Sequence, residues 1–214
     1  MKGEGRAGGR RALQKEETRA AILAAARAVI REEGLGGATT RRIAARAGVA
    51  AGTVFVHFAD VDALGEALLH DHVEAALERG FSTLRSGALC DDLVHVARAL
   101  YQSYAAEPEL SREFLKAGLF RADPQGPLAL QLRRFEGWMA VRIGRAIADG
   151  EVPAIEPRLA FLGFFSLYFV VLVGGLRGEL SVEGQAATLA ALLRRFFHGA
   201  GAGPAAGGPT RGGG

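Results

Sequence analysis

An all-α fold is predicted for this chain of 214 residues, on three observations. Apolar residues recur at helical spacing through most of its length, no segment shows the strict alternation of a half-buried strand, and Gly, Pro and Asp fall between the periodic stretches. The strongest local signal spans residues 39–58, TTRRIAARAGVAAGTVFVHF, which reads as a short helix, a tight turn at Gly48 and a second short helix. A hydroxyl at Thr39 or Thr40 suits the cap of the first helix, and Gly48 suits the positive φ of the turn. Small residues (Ala50, Ala51, Gly52) open the second helix, and Val54, Phe55 and Phe58 are expected to anchor it in a core. This is the layout of a helix-turn-helix, whose second helix enters the DNA major groove by its N-terminal end.

The other elements follow in order. A first helix is expected over residues 15–33, with Ile22, Ala26, Val29 and Ile30 as its buried stripe and Gly34 as its end. After the helix-turn-helix, Asp60 caps a fourth helix with Leu64, Leu68 and Val73 inward. Residues 91–106 place Leu93, Val96, Ala97, Leu100 and Tyr104 in register, and Pro108 opens a helix carrying Leu110, Phe114 and Leu119. The run Asp123-Pro124-Gln125-Gly126-Pro127 is a break. Residues 128–148 form a long helix with Leu132, Phe135, Met139, Ile143 and Ile147 on one side. An apolar helix over 159–176 and a last one over 183–198, with Leu189, Leu192, Leu193, Phe196 and Phe197, complete the set. The expected domains are a disordered basic tail (1–14), the helix-turn-helix domain (15–60), a helical domain (61–198) and a disordered Gly/Pro/Ala tail (199–214) that holds 8 glycines and 2 prolines.

Composition narrows the functional classes. Apolar residues make up 49% and charged residues 23%, as in an ordinary soluble protein. Residues 1–60 hold 11 Lys or Arg against 6 Asp or Glu, while residues 61–214 hold 15 against 17. The excess positive charge therefore coincides with the helix-turn-helix and suits a polyanion. One cysteine, Cys90, excludes an internal disulfide and a cysteine-based zinc site. No apolar run follows the N-terminal charges, so no secretory signal is expected, and the chain is read as cytoplasmic.

Residues 159–176 are 18 positions without a formal charge, the lower limit for a membrane span. Gly163, Ser166, Tyr168, Gly174 and Gly175 lower its hydropathy, and it has no partner span. A core or oligomer-interface helix is expected instead, with no membrane. The last two helices offer more apolar surface than a small helical domain buries, which calls for a second copy of the chain. Gly174 and Gly178 are expected to permit close helix approach there. Glu66, His70 and Glu74 share a helix face at spacings of four, but a lone trio of this kind reads as a solvated face. No catalytic residue, metal ligand or cofactor is assigned, and the chain is not read as an enzyme.

The first 70 residues resemble the TetR family of bacterial transcriptional regulators. The resemblance is carried by Ile22-Leu23, Ala25-Ala26, Gly34, Thr39-Thr40, Ile43-Ala44, Ala47-Gly48-Val49, Gly52-Thr53, Phe55, His57-Phe58 and Leu64. It implies a C-terminal ligand-binding and dimerisation domain, a homodimer formed through the last two helices, a palindromic double-stranded DNA operator, and a small-molecule effector whose binding releases DNA. Three positions depart from the family pattern. Ala50 stands where Ser or Thr often caps the recognition helix, Phe55 where Tyr often donates to phosphate, and Val61 where Lys often does so. Arg41, Arg42 and Arg46 are the cations that remain to clamp the backbone.

DNA contact is assigned to Thr40, Arg41, Arg42, Ala51, Gly52, Thr53, Val56 and His57. The two hydroxyls and His57 suit phosphate oxygens, the arginines suit phosphate or a guanine edge, and the small and apolar residues suit close approach and thymine methyls. By the resemblance, Tyr101, Phe114, Phe120, Trp138, Arg142, Phe165 and Tyr168 lie on helices that line a ligand site, and their character points to an apolar or aromatic effector. The reading is thus a ligand-responsive repressor. The alternative is a helical small-molecule-binding protein with weak or lost DNA binding, which the departures at Phe55 and Val61 favour.

Overall fold

The computed structural model describes residues 4–119 and 123–199, and these form helices joined by turns and loops, with no strand among them. In chain order the helices are α1 (Glu4–Gly37), α2 (Thr40–Ala47), α3 (Ala51–His57), α4 (Val61–Ser82), α5 (Leu89–Ala106), α6 (Pro108–Leu119), α7 (Pro127–Ala148), α8 (Pro157–Leu176) and α9 (Val182–His198). Each expected helix is present. The expected stripe of α1 is buried, as are the stripe of α5 and Phe135, Met139 and Ile143 of α7.

α1 starts at Glu4, upstream of the expected start at residue 15, so residues 4–14 are helical rather than the disordered tail expected there. Residues 9–17 are all exposed, so no buried face marks the helix. Arg, Ala, Leu, Gln, Lys and Glu continue it by their own propensity, which an apolar-periodicity reading does not register. Residues 1–3 and 200–214, which hold the rest of the expected tails, lie outside the described residues, as does Phe120. Near its other end α1 breaks at Gly34, whose φ of 72° is open to glycine at little cost. The Leu35 N–H beside the break donates to the Glu113 carboxylate of α6 at 2.9 Å.

The chain forms two compact units. One comprises the residues up to Ala76 with Ser103–Leu132, the other Leu77–Gln102 with the residues from Arg133 onward. This division does not follow the boundary expected at 60/61. In the first unit α6 returns to α1, where Glu107 pairs with Arg27 at 2.9 Å and also with Arg31, so sequence-distant helices join the N-terminal ones. Glu66 of α4, expected on a solvated face, is only 8% exposed. Glu74 accepts from Gln131 Nε2 at 2.5 Å.

In the second unit α8 packs on α9. Ala160, Phe164, Tyr168, Val171, Leu172 and Leu176 face inward from α8, against Gln185, Ala186, Leu189, Leu193 and Phe197 of α9 among other partners. The tight approaches are at Gly163, where an added Cβ would lie 2.2 Å from the Phe196 ring, and at Gly175, where it would lie 2.2 Å from Gln185. Gly178, expected to serve close helix packing, has a φ of 79° and nothing within 4 Å of a Cβ, so it is a turn residue. Buried Gln185 donates to the Val171 carbonyl at 3.1 Å.

Candidate nucleic-acid interface

The helix-turn-helix is assembled by local chemistry. The Thr39 hydroxyl accepts from the Arg42 N–H at 3.3 Å and caps α2. Gly48 closes it in the left-handed conformation, φ 69° and ψ 28°, and its N–H returns to α2 carbonyls. The Val49 N–H reaches the Ala44 carbonyl at 3.0 Å and completes the turn. Ile43 and Ala44 of α2 and Val54 of α3 are buried with Phe58, which fixes the angle at which α3 leaves the turn. Asp60 caps α4 as expected, accepting from the Ala63 N–H at 2.6 Å.

Inward placement of Val54 and Phe58 turns the rest of α3 outward. Val56 is 75% and Phe55 57% exposed, so Phe55 is not the core residue the sequence suggested. The reason is geometric: positions i and i+4 share a face, and the residue after the first is rotated by about 100°. Ala51 and Gly52 are exposed, and Thr53 and His57 half-buried. Ala50 provides no side-chain cap, so the start of α3 lacks the oxygen that Ser or Thr would supply.

The eight residues assigned to DNA all lie on α2 or α3 and all keep access to solvent. Their charged members differ. Arg41 makes no ion pair among the described residues. Arg42 binds the Glu33 carboxylate and reaches the Gly37 carbonyl at 3.4 Å. Arg46 makes a two-pronged bond to Glu32, at 2.6 and 2.7 Å. The hydrogen bond from Arg46 holds the Glu32 carboxyl below its usual range and raises the Arg46 guanidinium, so both stay charged at neutral pH. Arg19 of α1 lies with its guanidinium 5.3 Å from the centre of the Phe58 ring. Glu32, Glu33 and Arg19 escape a sequence reading because they belong to another helix, and no local pattern links them to α2 or α3.

The residues assigned to a ligand are dispersed. Tyr101 and Tyr168, in the second unit, stack at 5.2 Å and 12°, and the Tyr101 hydroxyl donates to the Tyr168 carbonyl at 3.2 Å. Burial pushes the Tyr101 phenol far above its usual range, so it remains neutral. Phe165 contacts Tyr168 at 6.2 Å, and Trp138 packs against Phe81 and Phe135. Phe164 joins Phe135 to Tyr168, so the aromatic set is continuous. Phe114 belongs to the first unit, against His72 at 6.2 Å and Arg27 at 5.8 Å. Arg142 is tied to buried Asp92 and to the Gly87 carbonyl. Among the described residues no group of three His, Cys, Asp or Glu is placed to hold a metal.

Residues 22–68 match the family model of bacterial regulatory proteins, tetR family. No curated protein matches the chain. Among solved structures, GusR of Salmonella enterica is 25% identical with a TM-score of 0.64, covering 85% of this chain and 96% of its own. A TetR-family transcriptional regulator of Rhodococcus sp. is 24% identical with a TM-score of 0.66, covering 83% and 97%. The transcriptional regulator FadR of Bacillus subtilis, solved in complex with stearoyl-CoA, is 18% identical with a TM-score of 0.64, covering 84% and 97%. The likeness in fold thus extends well beyond the matched N-terminal segment.

Proposed function

We propose that this chain is a transcriptional regulator of the TetR family, a cytoplasmic, homodimeric repressor that binds a palindromic operator and is released by a small apolar or aromatic molecule. The observation that carries the DNA reading is the α2–turn–α3 unit, which buries Ile43, Val54 and Phe58 and leaves Arg41, Ala51, Gly52, Thr53 and Val56 accessible. In this reading residues 15–60 read DNA, and residues 61–198 bind the effector and pair with a second copy. Thr40, Thr53 and His57 meet phosphate, Arg41 and Arg42 meet phosphate or guanine, and the small apolar positions of α3 approach the bases.

The experiment is selection of a duplex from a random pool, followed by a salt series. A regulator selects a two-fold symmetric sequence, and its affinity falls linearly in log–log terms, with a slope of about 0.9 per neutralised phosphate. Arg41→Ala is expected to lower that slope by about 1. Thr53→Ala is expected to weaken binding by about two- to tenfold, the range of one neutral hydrogen bond. If both variants bind like the parent at fixed salt, this placement of DNA is wrong. The missing cap at Ala50 favours a second reading, a helical small-molecule-binding protein with weak or lost DNA binding. A flat salt dependence without sequence preference would establish it.

The continuous aromatic set in the second unit supports the effector class. Apolar or aromatic compounds are expected to raise the melting temperature, since a ligand at about a hundred times its dissociation constant adds roughly 2.7 kcal/mol. If strongly polar or anionic compounds alone do so, the assignment fails.

A further inference from the structure

α2 carries three exposed arginines, Arg41, Arg42 and Arg46, yet two of them are occupied within the chain. Arg42 is bound by Glu33, and Arg46 by both oxygens of Glu32. The two acids are consecutive residues at the end of α1, immediately before the break at Gly34, and the two arginines are one helical turn apart on α2. The fold makes room for this arrangement at Gly37. A Cβ there would lie 2.8 Å from Glu33 Cβ and 3.2 Å from Glu33 Oε2, and the Gly37 carbonyl accepts a further bond from Arg42. Arg41, between Thr40 and Arg42, makes no such bond among the described residues.

The geometry points to Glu32 and Glu33 as residues that set DNA affinity: their carboxylates occupy the guanidinium groups of Arg46 and Arg42, so that phosphate must displace them, while Arg41 is the one α2 arginine without an ion pair among the described residues and is open to first contact. This inference rests on the proposed DNA-binding function and deepens it. A carboxylate and a phosphate oxygen compete for the same guanidinium donors. The pairs are solvent-exposed, with side-chain exposures of 58% and 33% for Arg42 and Glu33 and 45% and 51% for Arg46 and Glu32, so the exchange is feasible at modest cost. Two intramolecular acids thereby lower general affinity for the phosphate backbone without touching the residues of α3 that face the bases. Selected and unselected duplexes are affected alike, because backbone affinity carries no sequence information.

The test uses the full chain and two probes, a duplex that the parent selects from a random pool and a scrambled duplex of equal length. Glu33→Gln and Glu32→Gln are expected to tighten binding to both duplexes by about two- to fivefold each, the range of an exposed ion pair. They are also expected to steepen the salt slope toward about one additional phosphate each. Loss of a negative charge alone would also tighten binding, so the deciding measurement is a double-mutant cycle. In an Arg42→Gln background Glu33→Gln should have no further effect, and in an Arg46→Gln background neither should Glu32→Gln. Circular dichroism and melting temperature verify that each variant is folded. Unchanged affinity in folded variants, or tightening that persists without the arginine, overturns the inference while leaving the DNA function intact. Weakened binding overturns it too, and assigns the acids to holding the arginines in place for DNA. If neither parent nor variants bind either duplex at low salt, the DNA function itself fails and the inference with it.

Discussion

Asp92→Ala and Arg142→Ala are each expected to lower the stability of the fold by about 3–5 kcal/mol, the cost of leaving one member of a buried ion pair without the other. Asp92 is 2% exposed and stands in the first turn of α5, where a negative charge complements the helix dipole. Its Oδ2 accepts from Arg142 Nε at 2.8 Å and pairs with Nη2 at 2.6 Å, and its Oδ1 accepts from the Gly87 N–H at 2.9 Å. Arg142 also donates to the Gly87 carbonyl at 3.0 Å. One carboxylate therefore joins the start of α5, the preceding turn and α7. For a chain of this size the loss corresponds to a fall in melting temperature of about 6–20 °C. Urea unfolding of both variants measures it, and a loss below about 1 kcal/mol would refute a structural role for the pair. The prediction also bears on the effector. A guanidinium held by the Asp92 carboxylate and the Gly87 carbonyl is poorly placed to meet a ligand, which leaves the aromatic residues as the stronger candidates.

Val170→Arg is expected to abolish the proposed dimer. Leu159, Leu162, Val170 and Val173 lie along one stripe of α8 and are 61%, 47%, 69% and 37% exposed, with Phe196 of α9 beside Gly163. The opposite face of the same helix is buried, so α8 is apolar on both sides with one side uncovered. It is long and apolar enough to cross a membrane, with 39% of its span buried, and in the present reading a second copy covers the rest. A guanidinium at the centre of that stripe would cost about 3 kcal/mol or more on association, over a hundredfold in dissociation constant. Light scattering at micromolar concentration should change from twice the chain mass to the chain mass, with unchanged circular dichroism. DNA affinity should fall with it, because a dimer presents two recognition helices about 34–36 Å apart, or a multiple, to successive grooves. A parent chain that is itself monomeric removes the proposal, and a variant that stays dimeric moves the interface elsewhere.

Helices were legible where burial writes a period into the chain. Ile22, Ala26, Val29 and Ile30 announce α1, and Leu93, Val96, Ala97, Leu100 and Tyr104 announce α5, because a face that must leave water has to recur with the helical repeat. The turn was legible at Gly48, since its backbone conformation is one that other residues rarely adopt. The first turns of α1 were not, because residues 9–17 bury nothing and carry no period. Phe55 was misassigned because hydrophobicity alone does not say on which side of a short helix a residue falls.

The amino-acid sequence by itself determined the helical class, the order of the helices, the helix-turn-helix and the match of residues 22–68 to the tetR-family model. Each of these rests on local chemistry: periodicity, caps, and the identity of residues a few positions apart. The tertiary structure decided the state of the charges. Glu33 meets Arg42 and Glu32 meets Arg46 across the helix break at Gly34, while Asp92 meets Arg142 from fifty positions away. The tertiary structure also decided which side of α8 stays uncovered. Ion pairs and uncovered faces depend on which helices pack together, and packing brings together residues that no spacing along the chain connects.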